Sequence, residues 1–252
     1  YLVNKQDQKL NNKLIQTIDF INSEFLNDKN LLGSAYDADS EGVEGKYYVW
    51  SNEEIKGLLG NDIDIFKKKY LVTKEGNFEG SNILIENDNY ELNKNETEIL
   101  NKSEKKLLDE RKKRVKPFFD DKSQTDLNSS WIYTLLHSSF VLKNKSLRDK
   151  SFDLLEILQK TLKNKIYHCY DKQEEIDVFL EDYAYFALVL VSFYEVTGDV
   201  KYLNKSEEIL KETWSLFYDE ETKTLQKNSQ KTNDLFVKPI DIIDNNIPNG
   251  NS

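Results

Sequence analysis

The residues best suited to chemistry lie between Gly33 and Trp50, where Asp37, Asp39, Glu41 and Glu44 mix with Tyr36, Tyr47, Tyr48 and Trp50 and are punctuated by Gly33, Gly42 and Gly45. Paired carboxylates beside aromatic rings fit carbohydrate chemistry. One carboxyl group donates a proton, a second acts as base or nucleophile, and flat rings support the sugar. Asp121, in Asp120-Asp121-Lys122, and Asp182, in Glu181-Asp182-Tyr183, are further acids flanking expected helix ends. The run Asp37-Ala38-Asp39-Ser40-Glu41-Gly42 also copies the first half of a calcium-binding EF-hand loop. The copy fails at its twelfth position, where Tyr48 stands in place of the bidentate glutamate, and no metal is expected. Each acid has a structural reading as well. Turn aspartates cap helices or bind loop amides, and acids in the first turn of a helix are stabilised by its dipole whether or not they act on a substrate.

Other reactive side chains are few. Cys169 is the one cysteine and His137 and His168 are the two histidines, with no HExxH or CxxC spacing, so neither a zinc site nor any cofactor is expected. His168 and Cys169 are adjacent, and neighbours on an extended chain point to opposite faces, so they are not read as a thiol-imidazole pair. His137 sits on an apolar helix and reads as a core or cleft residue.

Composition narrows the function further. Lys and Arg total 35 against 45 Asp and Glu, a net charge of -10, which argues against nucleic acid. The short basic runs Lys67-Lys68-Lys69 and Arg111-Lys112-Lys113-Arg114 read as solvated helix faces. No apolar run reaches the ~20 residues of a membrane span. The lone cysteine suits a reducing compartment, so the protein is expected in the cytoplasm. The chain begins at Tyr1, lacks Met and stops after a Pro/Gly turn, which leads us to expect a piece of a longer protein.

The elements that would position these residues are mostly helices. Apolar residues at helical spacing predict helices over about 8–26, 52–59, 62–70, 96–114, 127–142, 147–162, 180–196 and 201–217. Short strands are expected near 46–50, 82–85 and 234–238. Helix 180–196 is apolar nearly all round, whereas 201–217 shows one stripe of Tyr202, Leu203, Ile209, Leu210, Trp214 and Phe217. Buried and striped helices alternating in hairpins fit a helical barrel of inner and outer rings, or an α-solenoid.

Several segments, taken in order, resemble one family. They are Ser34-Ala35-Tyr36-Asp37-Ala38-Asp39-Ser40-Glu41-Gly42, Gly45-Lys46-Tyr47-Tyr48-Val49-Trp50, Asp120-Asp121-Lys122 with Asn128 following, Leu180-Glu181-Asp182-Tyr183-Ala184, Lys238-Pro239, and Asp244 to Ser252. They look like the YyaL-type bacterial proteins and their animal spermatogenesis-associated relatives. Members of that family carry an N-terminal thioredoxin-like domain followed by an (α/α)6-barrel region similar to six-hairpin glycosidases and sugar 2-epimerases.

The resemblance implies a mainly α fold for residues 1–252, a single domain that is an incomplete (α/α)6 barrel (an α/α toroid) with a few short strands. It implies truncation at both ends, with the thioredoxin-like domain expected only in the intact parent protein and an exposed apolar edge on this piece. It implies a small carbohydrate as partner, with Asp37, Asp39, Asp121 and Asp182 as catalytic candidates and Tyr36, Trp50, Asn128 and Tyr183 as substrate-binding candidates. One departure bears on function: the family's Trp-Asn-Gly appears here as Leu127-Asn128-Ser129, which removes a ring. The alternative is therefore a non-catalytic sugar-binding or protein-interaction module that kept the barrel.

Overall fold

The computed structural model describes residues 7–87, 89–163, 165–170, 177–232, 239–240 and 250. In chain order the elements are α1 (Gln8–Glu24), β1 (Ala35–Tyr36), β2 (Asp39–Ser40), β3 (Val43–Glu44), α2 (Asn52–Leu59), α3 (Ile63–Lys69), β4 (Tyr70–Leu71), β5 (Ile85–Glu86), α4 (Lys94–Arg111), β6 (Phe119–Asp120), α5 (Thr125–Val141), α6 (Lys145–Leu162), α7 (Leu180–Thr197), α8 (Val200–Phe217), β7 (Tyr218–Asp219) and β8 (Thr224–Leu225). The chain is thus mainly helical with a few very short strands. It divides into two compact units, residues 1–35 with 120–252 and residues 36–119.

In the larger unit α5 packs on α6, α7 on α8, and α5 on α7. Asp199 caps α8, its carboxylate accepting from Lys201 N, and Gly198 takes the left-handed conformation that closes α7. This joint makes α7 and α8 a tight hairpin. The helix that is apolar all round is the most enclosed: Leu180, Tyr183, Phe186, Val189, Leu190 and Phe193 of α7 are buried, and they meet Trp131, Ile132, Leu135 and Leu136 of α5 and Leu154, Leu155 and Leu158 of α6 in one core. Each fully buried Leu or Phe there contributes about 1.5–3 kcal/mol.

The α8 stripe needs correcting. Ser206, Ile209, Thr213, Leu216 and Phe217 face the core, whereas Leu203, Leu210 and Trp214 are 40%, 51% and 57% exposed. The core face includes two small hydroxyl residues that a search for apolar periodicity passes over. Both hydroxyls are satisfied on backbone, Ser206 Oγ donating to Ala187 O at 3.2 Å and Thr213 Oγ1 to Ile209 O at 2.8 Å. Their short side chains let α8 approach α7 closely. The larger apolar residues fall on the outer face, where Trp214 stacks on Tyr218 with ring centres 4.2 Å apart.

The smaller unit has its own core of Trp50, Ile55, Leu59, Phe66, Val72, Leu100 and Leu107. Reciprocal caps start α2 (Ser51 with Glu54) and α4 (Asn93 with Glu96). β2 and β3 form a hairpin, as do β4 and β5, and β7 with β8 in the larger unit. The strand expected over 46–50 is a turn, because Gly45 takes φ 70° and Tyr48 N–H donates back to Gly45 O; Trp50 alone bridges, to Asn82. Around 82–85 the ladder begins only at Ile85. The strand expected over 234–238 lies outside the described residues.

Gly76 sits at φ 82°, and a Cβ placed there would come within 2.5 Å of backbone atoms of Gly80 and Ser81. Gly76→Ala is therefore expected to destabilise the protein by more than ~1 kcal/mol, read as a lower denaturation midpoint. Gly42→Ala, with open space around its Cβ, meets only the backbone strain and should cost less.

Among the described residues, no helix is long and apolar enough to cross a membrane.

Candidate functional site

The site is built where the first turns of α5 and α7 meet the segment that follows α6. Residues 167–170 run antiparallel beside 123–125: Gln124 bridges to Cys169, Thr125 N donates to His168 O at 3.0 Å, and Tyr170 N donates to Ser123 O at 3.1 Å. The Thr125 hydroxyl closes the ladder on Tyr167 O. These bonds hold the His168 ring beside Asp182, in the first turn of α7, with its Nδ1 3.0 and 3.1 Å from the two carboxylate oxygens. Phe179 stands edge-on to the imidazole at 4.8 Å.

Asp182 has no solvent exposure. Its carboxylate also accepts from Phe179 N at 2.9 Å and from Asp126 N at 3.3 Å, so it joins both helix starts and the histidine. A carboxylate so enclosed needs such donors, since burying it unpaired would cost several kcal/mol. On the far side of the ring, Gln124 Nε2 lies 3.2 Å from His168 Nε2. An imidazole protonated on Nδ1 satisfies both contacts, donating to Asp182 and accepting from the Gln124 amide.

Asp126 completes the cluster. One of its oxygens accepts from Leu127 N at 2.7 Å, and the other has no hydrogen bond among the described residues. Burial, and then the charge of Asp182, raise its pKa above the ordinary carboxylate value. Burial likewise raises Asp182 despite the opposing histidine. Burial alone would lower His168, but the hydrogen bond to Asp182 and the charges of Asp182, Asp126 and Glu181 outweigh it and hold the imidazole above its usual value. The cluster as a whole keeps protons to higher pH than its parts would in water.

That direction sets a pH test. Because the folded pKa of His168 is raised, its contribution to stability is complete below the unfolded value of about 6.5 and is lost as pH rises through the folded value. The stability difference between wild type and His168→Gln should accordingly be largest below about pH 6.5 and shrink above it. Denaturant titrations across that range check it, and a difference that grows with pH would contradict it.

Asp126, His168 and Asp182 each present one ligand atom, all within 4.8 Å of one another, a donor set that could hold a divalent cation. The Asp182 oxygens facing it are already met by two backbone amides and the imidazole, so a hydrogen-bonded acid-base cluster accounts for the arrangement without an ion.

The residues singled out in the sequence fall in different surroundings. Asp37 and Asp39 belong to the smaller unit and are exposed; Asp37 Oδ1 accepts from Asp39 N, and Asp39 pairs with Glu44 across the β2–β3 hairpin. Glu41 and Gly42, at φ 53° and 74°, make the tight reversal such a hairpin requires, which explains the glycine without calcium. Tyr36 stacks on Phe119 at 4.7 Å. Trp50 is 2% exposed with the Arg114 guanidinium 4.0 Å over its ring, so it is a core residue with no face open to a sugar. In the larger unit Asp121 is exposed. The Asn128 amide is taken up by Leu32 N, Leu32 O and Gln124 O, which pins the loop before β1 onto α5 and leaves it no polar group for a ligand. Tyr183 is buried, donates its hydroxyl to Glu212 at 3.1 Å and lines a cavity of about 360 Å3.

Asp126 and His168 do not emerge from the sequence. A signal for Asp126 exists: α5 and α7 are the two helices whose apolar residues are not confined to one face, and each carries an acid in its first turn. Nothing local marks His168, which reaches Asp182 through the ladder to 123–125. The chain matches no known family model and no curated protein.

Proposed function

We propose that the chain is a carbohydrate-active domain of glycosidase or sugar-epimerase type, with the hairpins of the larger unit forming part of an (α/α)6-type barrel and Asp126 as the proton-transferring group. The observation that carries this reading is a half-buried carboxyl group with one unpartnered oxygen and a raised pKa, beside a buried carboxylate-imidazole pair at the starts of two enclosed helices. A carboxyl group that keeps its proton toward neutral pH suits a general acid. Asp182 is too enclosed to touch a sugar and acts as a positioning residue, fixing the His168 ring and both helix starts. The second carboxylate of a glycosidase mechanism would come from Asp121, exposed shortly before α5. The sequence resemblance supports the substrate class, and with it a cytoplasmic parent protein carrying a thioredoxin-like domain.

A non-catalytic sugar-binding or interaction module is the second reading. It is favoured by the absence of a ring at Leu127 and by Trp50 and Asn128 serving the core and the backbone. Turnover of a panel of glycosides and free sugars by wild type and Asp126→Asn separates the two. Turnover that depends on Asp126 supports the enzyme, whereas saccharide binding with no turnover by either protein supports the module.

A further inference from the structure

Two cavities in the larger unit share a wall. The first, about 360 Å3, is lined in part by Tyr167, Asp177, Tyr183, Lys231 and Thr232; the second, about 180 Å3, by Leu162, Phe186, Ile209 and Lys163; Lys165, Ile166 and Glu212 line both. Together they fall in the ~300–1,000 Å3 range of small-molecule sites. Tyr167 and Tyr183 are also the chain neighbours of His168 and Asp182, so the segments that build the acid-base cluster also build the cavity wall.

The charges on this wall are unequally satisfied. Glu212 accepts from the Tyr183 hydroxyl at 3.1 Å and Asp177 from the Thr232 hydroxyl at 2.8 Å. Lys163, Lys165 and Lys231 make no ion pair among the described residues, although α6 and α8 nearby carry Lys160–Glu156, Lys205–Glu208 and Lys211–Glu207 pairs. The Lys165 ammonium lies 5.1 Å from the centre of the Tyr167 ring, which holds it at the wall. On a chain of net charge -10, three ammonium groups without carboxylate partners around one recess leave the counter-charge to a ligand.

We propose that these joined cavities bind an acidic saccharide, its ring against Tyr167 and Tyr183 and its carboxylate or phosphate on Lys165 and Lys231. This rests on the carbohydrate reading above and names the class of sugar. The test is calorimetric titration of the chain with glucose, glucuronate, glucose 6-phosphate and inorganic phosphate, at low and high salt. Lys165→Gln/Lys231→Gln is measured alongside, its fold checked by circular dichroism and melting temperature. At low salt at least one acidic sugar should bind about tenfold or more tighter than glucose, as charge-assisted hydrogen bonds require. The preference should narrow at high salt and disappear in the double variant, with glucose binding unchanged. The order of glucuronate and glucose 6-phosphate identifies the anion. Equal binding of glucose and both acidic sugars would overturn the proposal while leaving the carbohydrate reading intact. Inorganic phosphate binding as tightly as glucose 6-phosphate would overturn it in favour of a plain anion site. Binding of no sugar would overturn it too, and would take the carbohydrate reading with it only if turnover dependent on Asp126 were also absent.

Discussion

Asp182→Ala should lower the stability of the larger unit by about 3–5 kcal/mol, the range found when one member of a buried charged pair is removed. Three donors lose their acceptor together: Phe179 N, Asp126 N and His168 Nδ1. None can turn to water easily, because Asp182 is fully enclosed and His168 is held between it and Gln124. The first turns of α5 and α7 lose a shared cap, and the ladder between 123–125 and 167–170 loses the side chain that anchors its end. Asp182→Asn should cost less, since one amide oxygen can still accept from a helix-start N–H while the charge facing His168 is lost. Asp39→Ala, at an exposed hairpin position, should change stability by no more than ~0.5 kcal/mol. Denaturant unfolding of the three variants gives the comparison. A midpoint for Asp182→Ala within ~1 kcal/mol of wild type would mean that the cluster is not the joint described here.

The helices were legible because each carries its own signals. Ser51 with Glu54 marks the start of α2, Gly198 with Asp199 marks the turn between α7 and α8, and the apolar spacing places all the helices to within a few residues. What was not legible depends on partners distant in the chain. The aromatic run Lys46 to Trp50 has strand composition, but it finds no neighbouring strand and folds into a turn at Gly45. Leu203, Leu210 and Trp214 have helical spacing as good as that of the true core face of α8, and only the fit of Ser206 and Thr213 against α7 decides between the two sides. The candidate site divides in the same way. Asp182 stood out as an acid at the start of an all-apolar helix. Asp126 and His168 acquire their roles from the bridge of Gln124 to Cys169, a pairing between segments with no matching local pattern.

Asp126→Asn is expected to abolish most turnover while making the protein more stable at neutral pH. Loss of a general acid typically lowers rate ~10^2–10^4-fold. The stability change has the opposite sign because the Asp126 pKa is raised by burial and by the charge of Asp182. A carboxyl group whose folded pKa lies above its unfolded value of about 4 contributes its stability at lower pH and loses it as pH rises through the folded value. At neutral pH the ionised group is therefore a cost to the fold, set against Asp182 and away from water. Asparagine cannot ionise, and its side-chain oxygen can still accept from Leu127 N, so the helix start keeps its bond. The variant should match wild type in acid and exceed it increasingly as pH rises through the folded Asp126 value. Thermal melts from pH 4 to 8, run beside the turnover assay, measure both arms. A gain in stability with loss of turnover is the signature of a functional group held at the expense of the fold. A variant less stable than wild type at pH 7, with turnover unchanged, would reduce Asp126 to a helix cap.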